Sequence, residues 1–539
     1  MGSGRKTLAK RAVQMAVAVA CMGLLQAVAW GQRLTSSANP PSGVAGYNYS
    51  YLTGSGFPAG TITGATIEFG DSCASPSVAE TPVVKVAVES FLRRFEFLIP
   101  SSLKPGTYYA WVLGTAGTTA FNTLNTPSCS EIQVTASSAT LAACVPTSSL
   151  AVFAGPNVNA YVPFAWWEGG HSGIEEVPLE GSSTPTPFTA AGQVNSCASN
   201  SVTGEVVCTE NDTTVDLING TTLTTLTSGS NTYAGFSGGS CNNCGVGINA
   251  TDNTAVIAMG YTPSSSSTAL QVLNLSNNTF DPPFSLQNEV SEDISIDPTR
   301  KLILSPSEYG VYDLLQIGTG DTLTEYTNSV GGELDSAAED CTTGIALASD
   351  EFSNDVYITD LTQAAFTAGS GGLPGTWTAP GQFVDLSANE SYPFSGFAAG
   401  TCGISSAPGS GHLAVVTGEF GGSSFAALQL PSASGSGTPS FVDYAYAASL
   451  PATPDGMPFN AGYDPHTVTA YTSPNDGKSY AVMVGYGDLG TYPYLYYGPK
   501  WLAVIDLAGV LSAPRIGTTN TVDLSKGTPW VRYVPVPTP

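Results

Sequence analysis

One of the three histidines in this chain has a carboxylate two residues away. Asp464 and His466 flank a proline, and an imidazole paired with a carboxylate can serve as a general base near neutral pH. Asp464 and His466 are therefore the candidate catalytic residues. The alternative is that both are ordinary turn residues at the start of a strand.

Acidic residues also stand just before several apolar strands. Asp293, Asp340 and Asp464 are the candidate metal ligands, because carboxylates that converge from several strands can hold Ca²⁺, which takes about six to eight oxygens. The competing interpretation is again that these are strand-end turns, since acidic residues precede only some of the strands.

Two aromatic clusters are the candidate ligand-binding surfaces. Trp166 and Trp167 lie in the first cluster and Tyr494 in the second, and their rings could stack on sugars. Packing between sheets explains the same residues without any ligand.

Cysteine usage favours disulfides. The chain has ten cysteines, and an oxidising compartment outside the cytosol would let them pair. Cys73 and Cys129 are the only cysteines between residues 45 and 135, so we expect them to pair. The other candidates have no predicted pairing, and the Cys241–Cys244 spacing also fits a zinc or redox pair: they are Cys197, Cys208, Cys241, Cys244, Cys341 and Cys402.

Charge excludes one class of partner. The chain has 16 basic and 42 acidic residues, a formal net charge of −26, and lacks the clustered Lys and Arg that bind phosphates. We therefore expect no nucleic acid partner. A hydrophobic content of 42% supplies a core and argues against general disorder.

The N-terminus predicts export. Four basic residues precede an apolar run, and Ala27-Val28-Ala29 offers a cleavage site, so residues 1–29 form the predicted signal peptide. Cys21 within it leaves lipidation as an alternative. No later stretch reaches the roughly 18 apolar residues of a membrane span. The expected location is periplasmic, cell-surface or extracellular.

The rest of the chain predicts an all-β protein, because short alternating apolar runs are separated by Gly, Asn, Asp, Ser and Pro. Residues 45–135 have the length of a two-sheet sandwich. The motif Leu52-Thr53-Gly54-Ser55-Gly56-Phe57 and the later Pro105-Gly106-Thr107-Tyr108 resemble the IPT/TIG-type immunoglobulin-like domains of bacterial surface proteins. A small, polar linker is predicted over 136–156.

Residues 157–535 contain a repeated sequence pattern. An apolar strand that ends in Asp or Asn plus Leu recurs every 40 to 60 residues, as in Val356-Tyr357-Ile358-Thr359-Asp360-Leu361, which predicts a β-propeller of about seven blades, with six the alternative. The phrases resemble YVTN-type propellers, which are related to the lactonase-like propellers. This resemblance implies that a site would lie at the mouth of the central channel.

Three functions remain open. The preferred hypothesis is an exported, non-catalytic binding protein that recognises an unknown protein or glycan through the propeller. The alternatives are a metal-dependent, lactonase-like hydrolase at the channel mouth and a carbohydrate-binding surface protein. The fold alone does not choose between them.

Overall fold

The computed structural model describes residues 32–135 and 150–537, apart from short segments of which 164–172, 228–244, 260–268, 388–399 and 487–498 are the longest. The described chain is all-β with almost no helix. It divides into two compact units, 1–137 and 138–539. None of the helices in the described part is long and apolar enough to cross a membrane. The predicted signal peptide, with Cys21, lies outside the described residues.

The first unit contains ten described strands. They are β1 Arg33–Leu34, β2 Ser37–Val44, β3 Tyr49–Ser55, β4 Ile62–Gly70, β5 Ala79–Pro82, β6 Lys85–Glu89, β7 Leu92–Leu98, β8 Gly106–Ala116, β9 Thr119–Asn122 and β10 Ser130–Thr135, with a 3₁₀ turn at Thr123–Asn125.

Strand β2 joins the two halves of this unit, which are the strand group β5-β4-β8-β10 and the strand group β3-β7-β6. It pairs antiparallel with β3 at Asn39 and Tyr51, and parallel with β10 at Val44 and Thr135. The order of the strands is β5-β4-β8-β10-β2-β3-β7-β6, with β1 on β3 and β9 on β8. The unit therefore begins before residue 45, where the sequence analysis placed its start.

Alternation along the strands builds the core of the first unit. Ile67 and Phe69 of β4 are fully buried, and so are Phe95 and Phe97 of β7 in the other half. The rings of Phe69 and Phe97 meet edge to face with centroids 5.6 Å apart. Since successive side chains of a strand point to opposite faces, one face of each half packs into this shared core.

The second unit contains seven sheets among the described residues. Their strands are β11 Ala151–Ala154, β12 Val158–Pro163, β13 Ile174–Pro178 and β14 Thr186–Phe188 in the first; β15 Val194–Ser199, β16 Val206–Glu210, β17 Thr214–Asn219 and β18 Thr222–Thr227 in the second; and β19 Val246–Asn249, β20 Thr254–Met259, β21 Ala269–Asn274, β22 Thr279–Phe280 and β23 Phe284–Ser285 in the third.

The remaining strands of the second unit form the fourth to seventh sheets. Their strands are β24 Ser295–Asp297, β25 Leu302–Ser307, β26 Val311–Ile317, β27 Leu323–Ser329, β31 Ala365–Thr367 and β32 Gly375–Thr378 in the fourth; β28 Leu334–Asp340, β29 Ile345–Asp350, β30 Asp355–Asp360 and β33 Gly381–Asp385 in the fifth; β34 Thr401–Ser406, β35 Leu413–Gly418, β36 Phe425–Gln429 and β37 Asp443–Ala447 in the sixth; and β38 Val468–Thr472, β39 Ser479–Tyr486, β40 Pro499–Asp506 and β41 Val531–Pro535 in the seventh. A 3₁₀ turn lies at Leu361–Gln363, and helix α1 is Leu507–Leu511.

Each sheet packs on its neighbours along the chain. The first strands of consecutive sheets contact one another in chain order, from β11 to β38, and β38 in turn contacts β11. Seven apolar clusters each combine residues of two successive sheets, and one of them joins Val152 and Val158 of the first sheet to Val482 and Val504 of the seventh. Because the sheets are covered on both faces, strands such as β29 are buried at every position.

One detail of the second unit differs from the sequence analysis. Strand β11 lies inside the segment 136–156 that was predicted to be a linker. The hairpin of β31 and β32 leaves the fifth sheet and joins the fourth, where β32 pairs parallel with β27. Trp377 of this hairpin is fully buried, and its Nε1 donates to the Tyr312 carbonyl at 2.7 Å. This buried anchor holds the inserted hairpin in place.

Candidate functional site

His466 is the centre of a buried polar cluster. It lies two residues before β38, and its Nδ1 is 3.1 Å from Oδ2 of Asp293 and 3.1 Å from Oγ of Ser336. The Ser336 hydroxyl donates to the same Asp293 oxygen at 3.0 Å. Asp293 stands two residues before β24 and forms a parallel bridge with Ser336 on β28. Elements of the fourth, fifth and seventh sheets therefore meet at one imidazole.

The other ring nitrogen of His466 faces a different carboxylate. Nε2 lies 3.4 Å from Oδ2 of Asp335, on β28. Cys402, on β34, is fully buried, and one ligand atom from each of Asp335, Cys402 and His466 lies within 4.8 Å of the other two. His466 is only 3% exposed. We call these five residues the His466 cluster: Asp293, Asp335, Ser336, Cys402 and His466.

A break in strand register explains how two consecutive residues reach the same imidazole. Neighbours on a regular strand point to opposite faces, which would separate Asp335 from Ser336. The pairing of β28 with β29 shifts register between Leu334 and Ala337, across both residues. The pairing of β34 with β35 shifts in the same way around Cys402. Such bulges redirect side chains and are frequent beside functional sites.

A second polar cluster lies at the other end of β28. Nδ1 of His412 is 2.6 Å from Oδ2 of Asp340, and the Arg300 guanidinium is 2.7 Å from Oδ2 of Asp297. Both carboxylate oxygens of Glu339 are buried. Burial raises the pKa of Glu339 well above its usual range, and the neighbouring Asp297 carboxylate raises it further.

The predicted metal set is not brought together as expected. Asp293 contacts His466, but Asp340 lies four residues beyond Ser336 on β28, about 13 Å away along an extended strand, and pairs with His412 instead. Asp293 and Asp340 lie towards opposite ends of the first strands, so the structure does not bring these two carboxylates together, and their role as metal ligands stays a prediction. Asp464, the remaining metal candidate and catalytic partner of His466, lies outside the described residues.

The candidate aromatic surfaces lie in segments that are not described. Trp166 and Trp167 fall in 164–172 and Tyr494 in 487–498, so their sugar-binding role stays a prediction.

The cysteines divide into bridged and unbridged. Disulfides join Cys73 to Cys129 in the first unit and Cys197 to Cys208 across β15 and β16. Cys341 is also disulfide-bonded, and Cys241 and Cys244 lie outside the described residues. Cys402 corrects the sequence analysis: it is a buried thiol and not half of a disulfide. The reason is its position on a first strand, where the nearby ligand atoms belong to Asp335 and His466.

Sequence reasoning missed Asp335 and Ser336. Their segment, Leu334-Asp335-Ser336-Ala337, begins the first strand of the fifth sheet, at the same strand end as Asp293 and His466. That shared place in the repeat is the only sequence signal that could have identified them, and the register shift that turns Asp335 towards the imidazole has no local signature.

A surface cavity lies elsewhere in the second unit. It has a volume of about 450 Å³ and is lined by residues of β37 and of the segment after α1, including Tyr446, Ile516 and Val522. Pockets of about 300–1,000 Å³ are typical of small organic ligands.

Comparisons with known proteins give no functional relative. No protein-family model matches the chain, and no curated protein matches it. Among solved structures, a functionally unknown protein from Desulfotomaculum acetoxidans is 14% identical with a TM-score of 0.42, covering 67% of this chain and 95% of that one. Hydrazine synthase from Kuenenia stuttgartiensis is 12% identical with a TM-score of 0.31, covering 48% of this chain and 74% of that one.

Proposed function

We propose that the second unit is a seven-bladed β-propeller. The cyclic order of contacts among the first strands supports this, since the seventh sheet returns to the first. The apolar clusters between every pair of successive sheets support it as well. A propeller needs such closure, because each blade buries its faces only against its two neighbours.

For the first unit, the proposal is an IPT/TIG-like immunoglobulin sandwich. A strand that pairs with both halves and a core shared between them support this assignment. The Cys73–Cys129 disulfide is compatible with an exported protein, as is the Cys197–Cys208 bridge.

The function that follows is recognition without catalysis. The observation that carries it is the burial of His466, at 3% exposure, with Nδ1 against Asp293 and Ser336. A general base must come within hydrogen-bond reach of a substrate proton, and this imidazole is enclosed by protein groups instead. The protein is thus an exported binding protein whose partner, a protein or a glycan, contacts the propeller surface.

Two assays on the purified chain test this function together. One measures turnover of a panel of lactones and esters, and the other measures retention on a glycan array. We expect no turnover above buffer and specific retention on at least one glycan of the array. Turnover that disappears in a His466→Gln variant, but persists in His412→Gln, would contradict the proposal and favour the lactonase-like hydrolase.

A further inference from the structure

We propose that Asp335, Cys402 and His466 form a Zn²⁺ site that joins the fifth, sixth and seventh sheets. This site differs from the Ca²⁺ site predicted from Asp293, Asp340 and Asp464, and it does not depend on the proposed binding function. Its three ligand atoms come from the ends of β28 and β34 and from the residue pair before β38.

The donor set matches zinc. Thiolate, imidazole and carboxylate are the three side-chain ligands that Zn²⁺ takes in proteins, whereas Ca²⁺ and Mg²⁺ take oxygen ligands and leave thiols unused. All three residues are buried, at 3% exposure or less. A metal held here would be shielded from bulk water.

The spacing also matches zinc. Two ligands about 2.05 Å from a tetrahedral ion lie about 3.3 Å from each other. Nε2 of His466 and Oδ2 of Asp335 are 3.4 Å apart. This distance is longer than a good hydrogen bond but close to the edge of such a tetrahedron. The Cys402 sulfur lies within 4.8 Å of one ligand atom of each of these two residues, which brings the third ligand of the set to the same place.

Asp293 supplies the outer contact that a metal-bound histidine needs. Ligating histidines usually donate their second ring N–H to a carboxylate, which fixes the tautomer and turns the other nitrogen towards the metal. Nδ1 of His466 lies 3.1 Å from Asp293 Oδ2, on the side of the ring opposite Asp335. With the proton on Nδ1, the lone pair of Nε2 points at the proposed ion.

The two buried carboxylates beside His466 are a further reason to expect a metal ion. Asp293 and Asp335 are both buried beside one imidazole, and a divalent cation would offset their charges in a setting where unpaired charge is costly. Binding deprotonates the Cys402 thiol and releases that proton to solvent, so the affinity falls as the pH is lowered. The rival arrangement has no metal and a protonated His466 between two carboxylates.

The test measures metal binding directly. The purified full chain is stripped with a chelator, dialysed, and titrated with Zn²⁺ in competition with a chromophoric chelator, and bound metal is counted by mass spectrometry. Co²⁺ is then used as a spectroscopic substitute. We expect one equivalent of Zn²⁺, and with Co²⁺ a thiolate charge-transfer band together with the strong visible bands of tetrahedral coordination.

Three variants and a matched control locate the site. Cys402→Ser and Asp335→Asn are nearly isosteric, and each should lower the Zn²⁺ affinity by more than the about 10- to 100-fold expected for the outer-contact variant Asp293→Asn. His412→Gln removes a partly exposed histidine that pairs with Asp340, and it should leave binding unchanged. Circular dichroism establishes that each variant is folded.

Two results would overturn the proposal. The first is a folded wild-type chain that takes up no stoichiometric Zn²⁺ or Co²⁺, which would leave the protonated His466 arrangement. The second is metal binding that persists, with the thiolate band, in Cys402→Ser. Because the wild-type measurement alone can contradict the site, the proposal stays testable even if a variant fails to fold.

Discussion

Nδ1 of His466 lies 3.1 Å from Oδ2 of Asp293, although 173 residues separate the two in the chain. The contact connects the beginning of the seventh sheet to the beginning of the fourth. Both side chains are almost completely buried. A polar contact over so long a separation exists only when the intervening sheets are all in place, so it reports on the assembled unit.

Removal of the Asp293 carboxylate should therefore lower the free energy of unfolding. Asp293→Ala leaves His466 and Ser336 buried without their shared acceptor, and we expect a loss of about 3 kcal/mol in the free energy of unfolding. Urea unfolding followed by fluorescence measures it. The control is Asp443→Ala, which breaks a solvent-exposed ion pair with Arg515 and should cost less than about 1 kcal/mol. Equal effects in the two variants would disprove the structural role of Asp293.

Trp377 should anchor the inserted hairpin of β31 and β32. Trp377→Ala removes a fully buried indole and its bond to the Tyr312 carbonyl, with an expected cost of about 3–5 kcal/mol. Trp377→Phe keeps most of the volume but leaves that carbonyl without its donor, for about 1–3 kcal/mol. Thermal unfolding of the two variants measures both losses. The control is Phe352→Ala, which removes a ring that is 58% exposed and should destabilise the protein least. A Trp377→Ala variant as stable as Phe352→Ala would contradict it.

Asp313 should make stability depend on pH. Burial raises its pKa to about 8 from 3.8, the Glu325 carboxylate adds to the shift, and the Asn288 amide reduces it. The folded protein then binds more protons than the unfolded chain between these two values. Stability should fall by several kcal/mol as pH rises from about 4 to about 8, and this contribution should level off above that.

The matched variant for this effect is Asp313→Asn. It carries no charge and still offers an oxygen to Asn288, so it should be more stable than the wild type at pH 8. Its pH slope should be smaller but not zero, because burial also raises the pKa of Glu325. Denaturant unfolding at a series of pH values measures both slopes. Identical slopes in wild type and variant would refute the assignment.

The two described disulfides should differ in their contribution to stability. Cys73 and Cys129 are 56 residues apart and Cys197 and Cys208 only 11, and a longer closed loop restricts the unfolded chain more. Chain-entropy estimates give about 4 kcal/mol for the first bridge and about 3 kcal/mol for the second. Paired Cys→Ser variants, each followed by denaturant unfolding, give the two values. A larger loss for the Cys197–Cys208 pair would contradict this order.

Local pattern was enough to predict an all-β chain and several of its strands. The alternation Ala65-Thr66-Ile67-Glu68-Phe69 is the local signal for β4, because a strand with one buried face needs a period of two. The recurrent phrase ending at Asp360-Leu361 predicted β30. The pairing of Cys73 with Cys129 also followed from sequence, since residues 45–135 contain no other cysteine.

The His466 cluster was decided by tertiary structure. Asp335, Cys402 and His466 come from three sheets, and their distances depend on how those sheets pack and on register shifts in β28 and β34. No local propensity encodes either effect. The separation of Asp340 from Asp293 has the same origin, because position along a strand decides which end a side chain reaches. Sequence thus determined the strands and the residue types, whereas packing between distant segments determined which polar groups meet.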